Sequence, residues 1–460
     1  MLWNRQYIIK SYIRSSLWLV PLFSVLAYWL ISHVTGSIGG WLLQTGRIDA
    51  TTAFYGASAT GARSMLETIV TVNLSFMVFT FGSLLVAIQV AGGQYTLRII
   101  ATTLLRDNVI RFTVGYFVFT LLFALRVLNR MGAEAVDQFN TFIAGVLGLV
   151  SVIVFLYLID YAARFLRPVS IVQCVGKSGI AVIRSVYPES TMPPRSDDLS
   201  VVHASPDRTV AHVGTSGIVL AVDLEGLVGQ ARQANGVIEF VPQVGDFVAV
   251  DEPLFRLYGG TSASDDRELR AAVALGTERT LEQDPTFAFR ILVDIAIKAL
   301  SPAINDPTTA VLAIDQLHRL LRLVGLRQLY HEELFDDAGK MRLVFRTPNW
   351  EDFVHLACTE IRHYGAGSIQ IMRRMRSMIE NLLQSLPLHR HPELLKQLEF
   401  LDRAIDENYT FAEDRALARI ADPQGLGGSL GVQAAIEAQT GTGMPDASTD
   451  TLREIKSIVG

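Results

Sequence analysis

A set of polar and small residues follows one face of a helix predicted inside an apolar stretch of the chain. Glu67, Thr71, Ser75, Gly82 and Gln89 fall within a sector of about 80° when each residue advances the helix by about 100°. Such residues let helices pack closely and hydrogen-bond to one another, or they line a wetted path through a bilayer. In an oligomer, Glu67 would form an acidic ring that concentrates cations. The residue types are therefore compatible with either helix packing or permeation.

A second constellation lies where two predicted helices meet, at Ser301-Pro302-Ala303-Ile304-Asn305-Asp306-Pro307. Pro302 cannot continue the preceding helix. Asp306 is a residue typical of helix N-caps, and Pro307 would occupy the first helical position, where a missing N–H costs nothing. The sequence therefore predicts a rigid elbow. The amide of Asn305 and the carboxylate of Asp306 could also bind a cation or another ligand, which is the alternative interpretation.

The sequence contains no recognisable catalytic motif. There is no nucleotide-binding glycine loop, no HExxH, no GxSxG and no nucleophile with a local partner signature. Cys174 and Cys358 are far apart and lack CxxC spacing, so neither a disulfide framework nor a zinc site is indicated. The net charge of -5 gives no argument for nucleic acid. We expect no enzyme activity, no metal and no cofactor.

These residues must be positioned by a membrane domain, because four stretches are too apolar for water. They cover residues 17–34, 68–90, 112–128 and 141–159. About 18 or more apolar residues can cross a bilayer as a helix, and a helix satisfies its own backbone hydrogen bonds in lipid. Residues 1–187 are therefore predicted to form a four-span transmembrane domain with a helical extension, and the lipid bilayer is its first partner.

The distribution of basic residues predicts the orientation. They concentrate before the first span, between the second and third, and after the fourth: Arg5, Lys10, Arg14; Arg98, Arg106, Arg111; Arg164, Arg167, Lys177, Arg184. Basic residues favour the cytoplasmic side, so both termini and everything after residue 160 are predicted to be cytoplasmic. The sequence lacks the strand pattern of outer-membrane barrels, which indicates the inner membrane of a bacterium.

The remainder is predicted to be a cytoplasmic α+β region. Residues 188–198, with three prolines, read as a linker. Residues 199–260 alternate with a period of two and predict a small β-barrel or sandwich-like module. Residues 261–419 predict a mainly helical domain interrupted by a β-hairpin at about 326–346. Residues 420–460 are rich in Gly, Ala, Thr and Asp and are predicted to be disordered.

Several short motifs resemble a bacterial family of predicted membrane proteins catalogued as domain of unknown function 2254. The motifs are Gln94-Tyr95, Leu105-Arg106-Asp107, Gly245-Asp246-Phe247-Val248, Gln283-Asp284, Phe289-Arg290, Asp294-Ile295-Ala296, 299–307, Phe353-Val354 and 361–366. Thr96-Leu97-Arg98 departs from the Ser-Pro-Arg-like turn more frequent in the family. The resemblance implies four spans and a similar architecture over nearly the whole chain, and it implies no activity.

Two functions follow from these observations. The first is an oligomeric channel or transport-related protein with a cytoplasmic regulatory or assembly domain. Four spans make only a small bundle, so this function predicts a homo-oligomer. The alternative is a membrane-anchored sensor or scaffold that transports nothing and whose cytoplasmic domain binds a ligand or a protein. The first places the chemistry on the face that contains Glu67 and Ser75, and the second places it at the elbow 301–307.

Overall fold

The computed structural model describes residues 3–16, 18–44, 59–94, 107–131, 138–165, 167–187, 205–329 and 333–427. It divides into two compact units. The first unit comprises Met1–Asp294 and Gln328–Pro348, and the second comprises Ile295–Arg327 and Asn349–Gly460. The linker predicted at 188–198 lies outside the described residues.

The first unit begins with six helices: α1 (Trp3–Ser15), α2 (Leu19–Gln44), α3 (Ala59–Gln94), α4 (Asn108–Arg130), α5 (Gln138–Phe165) and α6 (Pro168–Val186). By length and composition, four described segments could cross a membrane: Thr60–Gln89, Asn108–Arg130, Phe139–Arg164 and Pro168–Val186. Leu19–Thr35 is a shorter apolar segment. Helices α3, α4 and α5 thus contain the predicted spans 68–90, 112–128 and 141–159. The remaining long segment is α6, predicted as the helical extension, and residues 19–34 of the predicted first span lie in α2.

Helices α3, α4 and α5 pack through apolar clusters. Leu66 of α3 packs in a cluster with Phe123 of α4 and Ala144 of α5. In a second cluster the ring centroid of Phe76 lies 5.5 Å from that of Phe117 and 4.0 Å from that of Phe155. These two layers fix the register of the three helices against one another.

The start of α4 is tied to α5 by a helix cap. The Asp107 carboxylate accepts hydrogen bonds from the backbone N–H groups of Val109 at 2.9 Å and Ile110 at 3.1 Å. Tyr161 of α5 donates its hydroxyl hydrogen to the other oxygen of Asp107. An N-cap satisfies backbone donors that the first helical turn leaves open. Asp107 therefore determines both where α4 begins and which end of α5 it meets.

The β part of the first unit contains two sheets. Its elements are β1 (Arg208–Ala211), β2 (Gly217–Val222), α7 (Leu224–Gln233), β3 (Gly236–Phe240), β4 (Phe247–Val248), β5 (Pro253–Gly259), a 3₁₀ turn (Gly260–Ala263), α8 (Asp266–Ala271), β6 (Val273–Gly276), β7 (Glu333–Phe335) and β8 (Met341–Phe345). One sheet has the strand order β1-β5-β3-β8-β7 and the other has the order β4-β2-β6. The predicted barrel or sandwich-like arrangement is not confirmed.

The larger sheet is mixed because the late hairpin joins it. Strands β7 and β8 form the hairpin predicted at 326–346, and β8 pairs in parallel with β3, so that Ile238 lies opposite Leu343 and Phe240 lies opposite Phe345. The sequence assigned this hairpin to the helical region. The period of a strand shows which residues face one side but does not identify a partner strand distant in sequence. The β module is therefore not confined to residues 199–260.

The second unit is helical. Helix α9 (Pro285–Ala299) enters it from the first unit, and it is followed by α10 (Pro307–Gly325), α11 (Trp350–Gly365), α12 (Ile369–Ser385), α13 (His391–Asn408) and α14 (Ala412–Ala418). Its core includes Ile314, Leu317, Phe353, Ile379 and Leu401, all at most 1% exposed.

The start of the predicted disordered tail is ordered against α12. The Arg373 guanidinium donates to the backbone oxygen of Ile420 at 3.0 Å, and the Gln370 amide donates to that of Gly425 at 2.7 Å. Asp422 accepts backbone hydrogen bonds from Gly425 at 3.0 Å and Gly427 at 2.7 Å. A Gly-rich composition indicates that few residues are buried, but it does not predict hydrogen bonds such as these, which hold the segment in place. Residues 428–460 lie outside the described residues.

Candidate functional site

The polar face of α3 is exposed within the single chain. Glu67, Thr71, Ser75, Gly82 and Gln89 are all exposed. The hydroxyls of Thr71 and Ser75 donate to the backbone oxygens four residues earlier, at 2.9 Å and 2.8 Å. Their donors are thus satisfied inside the helix, while their oxygen lone pairs remain open to the outside. The five predicted residues share one face, and the described helices of the same chain leave that face uncovered.

The packed face of α3 lies on the opposite side. Its buried residues are Ala62, Leu66, Ile69, Asn73, Thr80 and Ala87. At about 100° per residue, the centre of this row is about 180° from the centre of the polar face. Within one chain, helix packing therefore uses this row, and the small and polar residues that the sequence singled out do not form the seam.

The acidic end of the polar face has a partner on its own helix. The Glu67 carboxylate accepts from the Arg63 guanidinium at 3.1 Å, and the two side chains are 55% and 69% exposed. An exposed pair of this kind contributes little to stability because water and salt screen it. Arg63 therefore leaves Glu67 accessible to solvent and ions.

A polar layer that no sequence motif indicates lies inside the helix bundle. Asn73, Thr120 and Ser151 are fully buried between the two apolar clusters. Tyr116 donates its hydroxyl to the backbone oxygen of Leu147 at 2.9 Å. Among the described residues, Asn73 Oδ1 and Thr120 Oγ1 have no hydrogen-bond partner. Burying polar side chains inside an apolar helix bundle costs free energy. Each of these residues lies within an apolar run of the sequence, so only the packing of the helices shows that they form a layer.

The elbow has the capping geometry that its residue types predict. Asp306 accepts from the Thr309 backbone N–H at 3.1 Å and donates its own N–H to the Ala299 oxygen at 2.8 Å. Ser301 donates its hydroxyl to the Lys298 oxygen at 2.7 Å. Asn305 has φ +47°, a left-handed conformation that Asn tolerates.

The predicted elbow residues differ in exposure. Pro302 and Asn305 are exposed, while Ser301, Asp306 and Pro307 are half-buried. Asp306 is engaged in capping α10. The exposed amide of Asn305 is the group available to a partner, and ligand binding at the elbow stays a prediction.

Two sequence motifs that lie far apart in the chain converge in the first unit. Gly245 has φ +96°, and a Cβ atom there would lie 2.6 Å from Asp284 Oδ2, so only glycine fits. Asp284 is 2% exposed and caps α9 by accepting from the Phe287 N–H at 3.0 Å. Burial raises the pKa of Asp284, and the Arg279 guanidinium, 3.6 Å away, opposes that shift.

Beside this junction lies a cavity of about 730 Å³, all of whose lining residues belong to the first unit. Its lining includes Asp284, the ends of β2, β3 and β8, and the last turn of α6. A volume of this size holds a small organic molecule. Because its walls come from segments up to about 160 residues apart in the chain, no local sequence pattern predicts it.

The profile of a family described as "Predicted membrane protein (DUF2254)" matches residues 14–381 of the chain. The chain belongs to this family. The segment that matches DUF2254 thus includes the apolar helices, the β part and most of the helical unit. The polar face of α3, the elbow and the cavity-lining residues all lie within it.

Curated relatives extend the similarity beyond the family profile. An uncharacterised protein of Mycobacterium bovis and two of Mycobacterium tuberculosis are each 25% identical over 431 residues, covering 90% of this chain and 81% of the relative. No solved structure matches the chain. Membership of DUF2254 supports the membrane assignment and brings no activity with it.

Proposed function

We propose that the protein is a homo-oligomeric channel or transport-related protein of the bacterial inner membrane, with a cytoplasmic region that regulates or assembles it. The observation that carries the proposal is the outward polar face of α3. In a lone chain this face would meet lipid. When several copies surround one axis, the same faces would line a shared aqueous path.

The length of the polar face fits a complete path. From Glu67 to Gln89 the helix rises about 33 Å at about 1.5 Å per residue, against a hydrocarbon core of about 30 Å. The in-helix bonds of Thr71 and Ser75 leave oxygen lone pairs that can replace part of the hydration of an ion. Val78 and Leu85 are exposed on the same face and Leu74 lies at its edge, so apolar side chains alternate with the polar ones and would contact neighbouring copies.

The orientation follows from the charges. With the basic segments in the cytoplasm, Glu67 lies at the outer end of the path and Gln89 at the inner end. The chain after α6 then lies in the cytoplasm, where it can assemble or regulate the path. This arrangement favours cations over anions, because the Glu67 carboxylates face the path while their Arg63 partners lie about 40° away, outside the polar face.

Flux through liposomes tests the proposal. We expect Ser75→Leu to lower K⁺ efflux at least about tenfold, because an apolar side chain raises the cost of an ion in the middle of the path. Glu67→Gln should lower cation flux several-fold at low salt and less at high salt, since salt screens the acidic ring. Efflux from liposomes containing the purified protein would be recorded under voltage, membrane tension and candidate ligands.

A matched control is available on the same helix. Ser83 is exposed and makes the same kind of in-helix bond, to the Thr80 oxygen at 3.0 Å, but it lies about 120° from the polar face. Ser83→Leu should leave flux unchanged. Equal effects of Ser75→Leu and Ser83→Leu on flux, or no conductance of the wild type under any stimulus, would contradict the proposal. If Asn73→Leu alone abolishes flux, the path runs through the protomer interior.

The cavity of the first unit favours a second candidate function, a sensor or scaffold that transports nothing. Its volume and its mainly apolar lining are those of a ligand site. In that case a ligand would bind the purified protein, and none of the α3 substitutions would alter ion flux. Flux and ligand binding are separate measurements, so the two functions can be distinguished.

A further inference from the structure

We infer that the cavity beside Asp284 binds a small organic anion, with an apolar body against the cavity walls and a carboxylate or phosphate group held by Arg184 and Arg346. The inference is independent of the proposed transport function. It rests on the volume, the lining and the charges of the cavity.

The walls of the cavity suit an apolar body. Aliphatic and aromatic surface comes from β2, β3, β7, β8 and the loop before β4, through Val222, Phe240, Leu334, Phe345 and Val244. Phe240 and Val222 are at most 2% exposed, so the sheet holds them firmly in place. Apolar walls with a few convergent polar groups are the usual composition of a small-molecule site.

Two arginines of the lining have no acidic partner among the residues that the structure describes. Arg184 lies in the last turn of α6, and Arg346 directly follows β8. Both are exposed, and among the described residues neither guanidinium takes part in an ion pair or a hydrogen bond. An arginine fork matches the two oxygens of a carboxylate or phosphate group.

A hydrogen bond brings the segments that contain these arginines together. The Tyr187 hydroxyl donates to the backbone oxygen of Pro348 at 3.3 Å, and Tyr187 is 1% exposed. Arg184 is three residues before Tyr187, and Arg346 is two residues before Pro348. Two like charges therefore lie near one buried junction, an arrangement that an anion would stabilise.

Two of the three acidic residues of the lining have their own partners. Asp284 is paired with Arg279 at 3.6 Å, and Glu282 also has an interaction partner. Glu225 is exposed in the first turn of α7, where the helix N-terminus stabilises a negative charge. Arg184 and Arg346 thus remain the cationic groups of the lining that are available to a ligand.

Binding of aromatic anions to the full-length protein tests the inference. The protein would be placed in phosphatidylcholine nanodiscs, and binding of 2-naphthoate, 2-naphthyl phosphate and the uncharged 2-naphthamide would be measured by calorimetry, with empty nanodiscs as the blank. We expect saturable binding of an anion at least about tenfold tighter than binding of the amide, because hydrogen bonds to a charged group are stronger than those to a neutral one.

The double variant Arg184→Gln/Arg346→Gln should weaken binding of the anion about tenfold and leave that of the amide unchanged. The amide therefore reports whether the cavity remains folded. Arg267→Gln is the matched control, because Arg267 is an exposed arginine of the same unit that does not line the cavity. It should bind as the wild type does.

Phosphatidylglycerol in the nanodiscs distinguishes two sources of the anion. If it weakens naphthoate binding to the wild type, a lipid headgroup occupies the site. If it has no effect, the natural ligand is a soluble anion. The inference is overturned if neither anion binds above the blank at millimolar concentration, if the amide binds as tightly, or if the double variant binds like the wild type.

Discussion

Gly260→Ala is expected to unfold the β part of the first unit. A Cβ atom at this position would lie 1.7 Å from the backbone oxygen of Ala234 and 2.9 Å from its carbonyl carbon. Both atoms belong to the main chain, so no side-chain rotation can relieve the clash, and we expect a loss of at least about 3 kcal/mol. The readout is hydrogen exchange of the β3 and β5 amides in the full-length protein, which should lose their protection.

Gly229→Ala is the matched control. Gly229 lies inside α7, and a Cβ atom there would meet nothing within 4 Å. Because alanine favours a helix over glycine by about 1 kcal/mol, this variant should be slightly more stable than the wild type. If the β3 amides of Gly260→Ala stay as protected as those of Gly229→Ala, Gly260 does not pack tightly against the Ala234 carbonyl group.

Trp350→Ala should cause the second large loss, in the helical unit. Trp350 is 1% exposed at the start of α11, its indole N–H donates to the Arg390 oxygen at 2.9 Å, and the Arg390 guanidinium lies 5.6 Å from the ring centre. Removing a buried tryptophan leaves a cavity and costs about 3–5 kcal/mol. Loss of amide protection in α11 and α13 would be the readout.

Trp350→Phe separates packing from hydrogen bonding. Phenylalanine keeps most of the ring contact but removes the indole hydrogen bond to the Arg390 oxygen, so the loss should be about 1–2 kcal/mol. An alanine variant that is no less stable than the phenylalanine variant would show that the ring does not stabilise the junction between α11 and the segment before α13.

The sequence identified the polar face of α3 but not the direction in which it points. A period of 3.6 residues places Glu67, Ser75 and Gln89 together whatever surrounds the helix. The packed row opposite them contains Asn73 and Thr80, so polarity alone does not mark the outer side. Only the packing of α4 and α5 decided which of the two faces is covered.

Local signals were sufficient for the elbow and for the late hairpin as separate features. Asp306 caps α10 and Pro307 begins it, as their residue types predict. The hairpin turns at Gly339, with φ +73°, after Asp336. Its parallel pairing with β3 was not predictable in the same way, because it joins strands about a hundred residues apart and depends on the whole sheet.

The cavity likewise could not be predicted from local sequence patterns. Gly245 and Asp284 stood out in the sequence as members of separate motifs, and no local pattern connects them. Their contact depends on the loop before β4 meeting the start of α9. Arg184 and Arg346 lie on still other segments, so a site built from all four could be recognised only in three dimensions.

Cross-linking between copies in native membranes tests the central claim, that the outward polar face of α3 meets the same face of another copy. Cys358 can stay, because it is 1% exposed and burial raises the pKa of its thiol to about 12, so only Cys174 needs replacement by alanine. In that background, Ser75→Cys should form dimers and larger products with a short bis-maleimide. Ile153→Cys, 59% exposed on α5, should stay monomeric. Products from Ile153→Cys together with none from Ser75→Cys would place the polar face against lipid and contradict the account.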